Sequence, residues 1–269
     1  MIRWEPDHTP KIERPKGLVW VRVIYRLCAI AIVMFGLLSP VIIARAMGWY
    51  SLAARIVKFA SRTVIRIMRF ELVVKGSPIK GAGFIAANHS SWLDIFLING
   101  VCTAYFVAKS EVRTWPMIGI FARAVGTSFI ERRRGKVDTE KNNLAKRIHQ
   151  GERLLIFPEG TSTDGRRVLP FRSSLFEAVF ELKDDPETSV QGLTLFYTAP
   201  RGRREDFYGW YGDMEFLESF LDTLAQPRNG TVELTFHPEL NLKKINDRKQ
   251  LAKDLEQQVK AKFTQLQAG

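Results

Sequence analysis

The feature that most constrains this chain is an uncharged, largely apolar run near its N-terminus. Leu27–Ala44 lies between Arg26 and Arg45, and its 18 residues carry no charge. A bilayer-crossing helix needs about 17–25 apolar residues, so the run is at the lower limit for one. Pro40 lies near its end, where proline can kink a helix. A late start and the lack of a small-residue cleavage site disfavour a cleaved signal peptide. We predict a membrane-embedded helix or hairpin limb, with a buried core helix as the alternative.

The next segment, Ser51–Phe70, combines basic residues with an apolar face. Its basic residues are spaced by three and four, which places them in one stripe on a helix. The stripe consists of Arg55, Lys58, Arg62, Arg66 and Arg69. Such a stripe is typical of a helix lying in an anionic bilayer surface, where each basic group contributes about 1 kcal/mol. An ordinary solvated surface helix is the alternative, but the preceding apolar run favours the membrane.

The net charge of +12 predicts a polyanionic partner, either nucleic acid or an anionic membrane. Because the basic stripe directly follows the apolar run, we expect an anionic membrane and no nucleic acid. Cys28 and Cys102 have no His or Cys neighbour that would complete a zinc site, and they make no disulfide framework. This pattern indicates a reducing compartment, and neither a metal site nor an organic cofactor site is visible in the sequence.

From Glu71 onward, short apolar strands alternate with helices. Strands are predicted at Glu71–Val74, Gly83–Ala87, Tyr105–Ala108, Thr127–Ile130, Arg153–Phe157, Leu193–Thr198 and Thr231–His237. Helices are predicted at Trp92–Asn99, Trp115–Arg123, Asp138–Gln150, Leu175–Leu182 and Arg248–Leu266. This alternation predicts an α/β fold, with a mixed β-sheet flanked by helices and an N-terminal membrane-associated helical segment. We divide the chain into an N-terminal arm (1–17), membrane-associated helices (18–70) and an α/β domain (71–269).

Among the four histidines, His89 is the one that stands directly after an apolar strand and before a helix. Active sites of α/β sheets lie at the carboxyl ends of strands, so this position is suited to chemistry. Asp94 lies about one turn into the helix. A carboxylate there can hold one ring nitrogen while the other takes a proton from a hydroxyl. The pair alone is a weak signal, and a structural capping histidine is the alternative.

Three further strand ends carry polar residues. Phe157–Ser162 places Glu159 in a turn after a buried strand, where it can meet a ligand. Gly126–Arg132 ends an apolar strand on a charged pair, and arginine binds phosphate or carboxylate with a bidentate fork. Lys109 follows another strand and can supply a second cation. A simple turn and a solvated basic loop are the alternative interpretations.

Together these stretches resemble the lysophospholipid acyltransferase family, which includes the 1-acyl-sn-glycerol-3-phosphate acyltransferases. Three blocks occur intact and in order: His-x4-Asp at His89–Asp94, Gly-x-x-Phe-Ile-(Asp/Glu)-Arg at Gly126–Arg132, and Phe-Pro-Glu-Gly at Phe157–Gly160. The fourth block is a Val-x-Pro-like strand at Val190–Gly192, in which Gly192 replaces the usual proline. A lysine and a Trp/Ile-Pro-x-x-Gly stretch match Lys109 and Trp115–Gly119.

The resemblance implies an acyltransferase domain over 71–269, with His89 as general base and Asp94 as its orienting partner. It implies a substrate-binding set of Lys109, Arg132, Glu159, Gly160 and Thr161. Backbone amides after His89 are expected to stabilise the oxyanion. The co-substrate is expected to be acyl-CoA or acyl-carrier protein, with no cofactor. The setting implied is the inner membrane, with the catalytic domain facing the cytoplasm.

We therefore predict transfer of a fatty acyl chain from an acyl thioester to the hydroxyl of a lysolipid, with 1-acyl-sn-glycerol-3-phosphate as the first candidate acceptor and phosphatidate as its product. The aromatic, glycine-rich stretch Tyr208–Met214 is similar to one found in bacterial acyltransferases near the ornithine-lipid branch. Lyso-ornithine lipid, or another lysolipid, is thus the alternative acceptor. A lipid hydrolase is a more distant alternative, because the sequence contains no Gly-x-Ser-x-Gly elbow.

Overall fold

The computed structural model describes residues 9–12, 14–115, 118–130, 137–180 and 188–269, with the backbone alone at 137–141 and 178. The helices are α1 (Val19–Ala46), α2 (Tyr50–Met68), α3 (Asp94–Val101), α4 (Ile118–Ala124), α5 (Val137–His149), α6 (Glu177–Phe180), α7 (Phe216–Ala225) and α8 (Arg248–Ala268). The strands are β1 (Glu71–Lys75), β2 (Gly83–Ala87), β3 (Tyr105–Lys109), β4 (Ser128–Ile130), β5 (Arg153–Ile156), β6 (Ser189–Tyr197) and β7 (Thr231–Phe236). Short 3₁₀ turns occur at Ser110–Thr114, Ser173–Phe176 and Leu242–Lys244.

The strands form one mixed sheet in the order β1-β7-β6-β2-β5-β3-β4. The five strands from β6 to β4 run parallel, whereas β7 is antiparallel to β6 and parallel to β1. All residues of β2 are buried, as expected for a central strand covered on both faces. The predicted fold class, a mixed α/β sheet flanked by helices, is confirmed.

Helices cover both faces of the sheet and create two hydrophobic layers. One layer joins α2, α3 and α7 to the sheet through residues such as Met68, Leu97 and Leu224. The other joins α5 and α8 to the opposite face, with Ile148 and Leu255 in its centre. The central strand β2 is thereby shielded from water along its length, whereas the edge strand β1 stays largely exposed.

Helix α1 is longer than the uncharged run suggested. Within the described residues it is the one helix that is long and apolar enough to cross a membrane. Only 17% of its most apolar 18-residue segment is buried inside the protein. It begins at Val19, so that Arg22 and Arg26 lie inside the helix rather than before it. Arg22 donates to Ala225 O at 2.6 Å, and Arg26 donates to Leu224 O at 2.9 Å. These cations satisfy the carbonyl groups at the negative end of α7.

Helix α2 presents its basic stripe outward. Arg55, Arg62, Arg66 and Arg69 are exposed and Lys58 is half-buried, while the opposite face buries Val64, Ile65 and Met68 against the core. The helix ends where Arg69 adopts a left-handed conformation at φ 61°. The predicted cationic stripe is therefore present, but part of the apolar face that was expected to meet a bilayer packs against the protein core.

Several element boundaries differ from those predicted. The strand expected from Leu193 begins at Ser189, because Val190–Gly192 pairs with β2. The helix expected from Trp92 begins at Asp94. In the region of the helix expected at Trp115–Arg123, the structure has α4, at Ile118–Ala124. A 3₁₀ turn at Ser110–Thr114 precedes it, and residues 116 and 117 lie outside the described part. The helix expected at Leu175–Leu182 starts as a 3₁₀ turn, and residues 181 and 182 also lie outside that part.

Candidate active site

The candidate site lies at the carboxyl edge of the parallel strands. His89 follows β2, Phe157 follows β5, Lys109 ends β3 and Tyr197 ends β6. Since these four strands are parallel, their carboxyl ends meet at one edge of the sheet. The edge predicted from the sequence is therefore the one that gathers the polar residues.

His89 and Asp94 form a direct contact at this edge. Nδ1 of His89 lies 2.7 Å from Oδ2 of Asp94. The Asp94 carboxylate is fully buried, whereas 19% of the His89 side chain is exposed. The strand-to-helix corner makes this possible, because it turns the chain between the two residues. One imidazole nitrogen is thus held by a carboxylate inside the protein, and the ring retains access to the surface.

The turn between His89 and α3 supports the same carboxylate. The backbone amides of Ser90 and Ser91 donate to Asp94 Oδ2 at 3.0 and 3.1 Å. The expectation that amides at this helix start bind an oxyanion is therefore wrong for these two groups, because Asp94 already occupies them. The hydroxyls of both serines are also buried, so neither is presented to a substrate as a nucleophile.

Tyr197 is a member of the site that the sequence interpretation missed. Its hydroxyl donates to Asp94 Oδ1, across 103 residues of sequence. Burial, reinforced by the charge of Asp94, raises the pKa of Tyr197 well above its ordinary value of 10.0. The phenol therefore stays protonated and remains a donor. The available signal was a tyrosine near the carboxyl end of a predicted strand, but the pairing of that strand with β2 is visible only in the structure.

Phe157 covers one face of the His89 imidazole. The two ring centroids are 4.0 Å apart and the ring planes are inclined by 14°. Phe106 of β3 stacks behind Phe157 at a centroid distance of 6.0 Å. The Phe-Pro-Glu-Gly block thus supplies an aromatic surface for the histidine as well as a turn.

Glu159 points into the protein beside the dyad. It is 2% exposed, and its Oε1 accepts from Leu169 N at 3.3 Å. Its Oε2 is buried and has no hydrogen-bond partner within the described part of the chain. Burial raises the pKa of Glu159 well above its ordinary value of 4.5, although backbone donors at Leu169 and His89 oppose the shift. This carboxyl group is therefore held in its neutral form more strongly than an exposed one.

The remaining predicted residues that the structure describes lie along the same edge. Gly160 has φ +75° and donates to Phe157 O at 3.0 Å, which closes the turn. The hydroxyl of Thr161 donates to Ser162 O at 3.4 Å. Lys109 is exposed at the end of β3, with its Cα paired to Ile130 of β4. Arg132 lies outside the described residues, and its binding role stays a prediction.

The aromatic stretch Tyr208–Met214 packs against the loops that carry the dyad. Trp210 N donates to Ser90 O at 2.9 Å, and Ser162 Oγ donates to Trp210 O. A Cβ atom at Gly209 would lie 2.8 Å from backbone atoms of Asp164, so only glycine permits this approach. The stretch therefore holds two active-site loops together. Among the described residues, no group of three His, Cys, Asp or Glu side chains is placed to bind a metal.

Comparison with known proteins points to one family of enzymes. The acyltransferase family model matches residues 67–194. The lyso-ornithine lipid O-acyltransferase of Rhodobacter capsulatus is 42% identical over 200 residues, which cover 74% of this chain and 72% of the relative. The 1-acyl-sn-glycerol-3-phosphate acyltransferase of Neisseria gonorrhoeae is 29% identical over 178 residues, which cover 66% and 68% of the two chains.

A solved structure has the same fold. The crystal structure of the 1-acyl-sn-glycerophosphate acyltransferase PlsC from Thermotoga maritima superposes with a TM-score of 0.68 at 20% sequence identity. The match covers 93% of this chain and 96% of that one. The chain belongs to the acyltransferase family whose members include lyso-ornithine lipid and 1-acyl-sn-glycerol-3-phosphate O-acyltransferases, and it is an enzyme of that class.

Proposed function

We propose that this enzyme transfers a fatty acyl group from an acyl thioester to the hydroxyl of lyso-ornithine lipid, with His89 as the general base. The observation that carries the catalytic part is the 2.7 Å contact between His89 Nδ1 and the buried Asp94 carboxylate. A histidine held in this way has one nitrogen protonated and the other available as a base.

In the proposed reaction, Nε2 of His89 takes the proton from the acceptor hydroxyl as its oxygen attacks the thioester carbonyl. The C–S bond then breaks, and the imidazolium returns the proton to the departing thiolate. The products are an ester and a free thiol, and no acyl-enzyme forms. Asp94 keeps the proton on Nδ1 and stabilises the positive charge that develops on the ring.

The choice of acceptor rests on similarity. The relative named for lyso-ornithine lipid is 42% identical to this chain, whereas the relative named for 1-acyl-sn-glycerol-3-phosphate is 29% identical. Gly192 also departs from the pattern of the wider family, which has proline at this position. A Cβ atom at Gly192 would lie 3.1 Å from Gln258 Oε1 and 3.3 Å from His237 Cδ2. A phosphate-bearing acceptor is the second candidate, supported by the cation Lys109 at the sheet edge.

The N-terminal helices suit a membrane location that brings the site to its lipid. Helix α1 is about 42 Å long, at about 1.5 Å per residue, which exceeds the hydrocarbon thickness of a bilayer. Large apolar side chains remain exposed along both helices, among them Tyr25, Ile32, Phe35, Ile43 and Phe59. The exposed cations of α2 favour an anionic lipid surface. We propose an inner-membrane location with the catalytic domain in the cytoplasm, where acyl-CoA or acyl-carrier protein is the donor.

The test compares acceptors and donors with purified enzyme in detergent. Palmitoyl-CoA and palmitoyl-carrier protein are each offered with lyso-ornithine lipid or lysophosphatidate, and ester formation is measured. We expect kcat/KM for lyso-ornithine lipid to exceed that for lysophosphatidate by at least about tenfold, a discrimination of about 1.4 kcal/mol. The reverse preference would assign the second acceptor, and thiol release without either ester would indicate a hydrolase.

A further inference from the structure

Both oxygens of the Asp94 carboxylate are held, but by different parts of the chain. Oδ2 accepts from His89 and from the local amides of Ser90 and Ser91. Oδ1 accepts from the hydroxyl of Tyr197, the last residue of β6, which is the strand next to β2. Rotation about the Cβ–Cγ bond would move both oxygens away from their donors. The tyrosine therefore adds a restraint on Oδ1 to the three contacts that already hold Oδ2.

Tyr197 is itself fixed by a chain of contacts that leads to the N-terminal helices. Its ring lies 5.3 Å from that of Tyr208, centroid to centroid. The Tyr208 hydroxyl donates to Asn229 Oδ1 at 2.9 Å and accepts from Gly230 N at 2.7 Å. Asn229 in turn donates to Met68 O, the last residue of α2, at 2.7 Å. The ring of Tyr197 thus packs against a buried residue that is itself held by hydrogen bonds.

We propose that Tyr197 is a positioning residue for acyl transfer, which acts on His89 through Asp94. This inference rests on the proposed role of His89 as base. The hydroxyl has two effects on the carboxylate. It fixes the plane in which Oδ2 meets Nδ1, and it withdraws part of the negative charge from the side that faces the imidazole.

The charge effect gives a readout that a purely structural role would not produce. When the phenol donor is removed, more negative charge remains on Asp94 toward His89. The protonated imidazole is then better stabilised, so a higher pH is needed to free the base. The acidic limb of the pH profile of kcat/KM reports this base in the free enzyme, and it should move to higher pH. The profile is measured in the Glu159→Gln background as well, because the raised pKa of Glu159, which interacts with Asp94, can contribute to the same limb.

The test is Tyr197→Phe, which keeps the packed ring and removes the hydroxyl. We expect kcat at neutral pH to fall about 10- to 100-fold, within the range for general-base catalysis, with KM for both substrates changed less than about threefold. The acidic limb should rise by about 0.5–1 pH unit. Tyr105→Phe is the matched control, because it removes a phenol hydrogen bond, to Arg45, at the amino end of β3 and away from the dyad.

All rates are measured on the monodisperse fraction, so that loss of folded protein does not enter kcat. An acidic limb that stays at its wild-type pH would overturn the positioning role, whatever the value of kcat. His89→Ala is assayed in parallel to separate the two claims. If His89→Ala is inactive and Tyr197→Phe behaves like wild type, the proposed base stands and the tyrosine role fails. If His89→Ala stays active, the proposed base itself fails.

Discussion

The imidazole of His89 lies parallel to the phenyl ring of Phe157, with 4.0 Å between the ring centroids. The bond to Asp94 fixes one edge of the imidazole, and Phe157 closes one of its faces. Only the remaining face and the Nε2 edge are left for a substrate. An aromatic residue in the Phe-Pro-Glu-Gly block therefore restricts the direction in which the base can act.

Replacing Phe157 by Leu should lower the rate without abolishing it. Leucine fills much of the same volume but offers no flat surface to the imidazole. Aromatic stacking is worth about 0.5–1.5 kcal/mol, so kcat should fall by at most about tenfold. The measurement is steady-state transfer, with Phe106→Leu as a control, since Phe106 stacks on Phe157 and is not stacked on His89. A larger loss in the control than in Phe157→Leu would contradict this account.

Replacing Arg26 by Met should destabilise the packing of α1 on α7. Arg26 is 3% exposed, and its guanidinium donates to the carbonyls of Leu224, Gln226 and Pro227. Methionine keeps the length but leaves those carbonyls without their donor, at a cost of about 2–4 kcal/mol. For a chain of this size the Tm should fall by about 5–12 °C. Thermal unfolding in detergent, followed by helical circular dichroism, measures it.

Arg14→Met is the matched control for that experiment. Its guanidinium is 80% exposed and lies 3.8 Å from the carboxylate of Glu218. Exposed pairs contribute about 0–1 kcal/mol, so the Tm should change by no more than about 3 °C. Equal shifts in the two variants would show that Arg26 is not a structural link between the helices.

Much of the catalytic domain could be predicted from local patterns. The β2 strand has the predicted bounds, Gly83–Ala87, because an apolar run ending in a polar turn specifies a buried strand. The His89–Asp94 contact was also predictable, since five residues across a strand-to-helix corner can bring two side chains together. Both predictions depend on residues that are close in sequence.

Contacts between distant segments could not be predicted in the same way. Tyr197 meets Asp94 only because β6 pairs with β2 in one register, and the sequence pattern does not specify strand order. Arg26 was taken as the boundary of the apolar run, because a cation is normally excluded from an apolar helix. Its partners are carbonyl groups about 200 residues away. The amides after His89 were expected to bind an oxyanion. Their hydrogen bonds to Asp94 depend on the geometry of the turn, which the sequence pattern does not specify.

Stability should depend on pH through Glu159. Its folded pKa is raised by burial above the ordinary value of 4.5, so the folded state holds this proton more tightly than the unfolded state. The contribution of Glu159 to stability is therefore fully present below about pH 4.5 and is lost as the pH rises through the folded pKa. Glu159→Gln keeps an uncharged side chain at every pH and should remove this loss.

The check is the Tm difference between Glu159→Gln and wild type, measured from pH 5 to pH 9. We expect the difference to grow in favour of the variant as the pH rises. The exposed Glu239→Gln controls for the general effect of one lost carboxylate. A difference that shrinks with pH would mean that the ionised form of Glu159 is the stabilising one.

The most direct test of the account is single-turnover acyl transfer by His89→Gln and Asp94→Asn, each with saturating palmitoyl thioester and lyso-ornithine lipid. Both variants keep the size and polarity of the original side chains, and each is first shown to have a wild-type Tm. We predict that His89→Gln loses at least about 10³-fold in rate and Asp94→Asn at least about 10²-fold, because removal of a general base costs about 10²–10⁴-fold. Transfer by folded His89→Gln at a rate near that of wild type would contradict the central claim that His89 is the base.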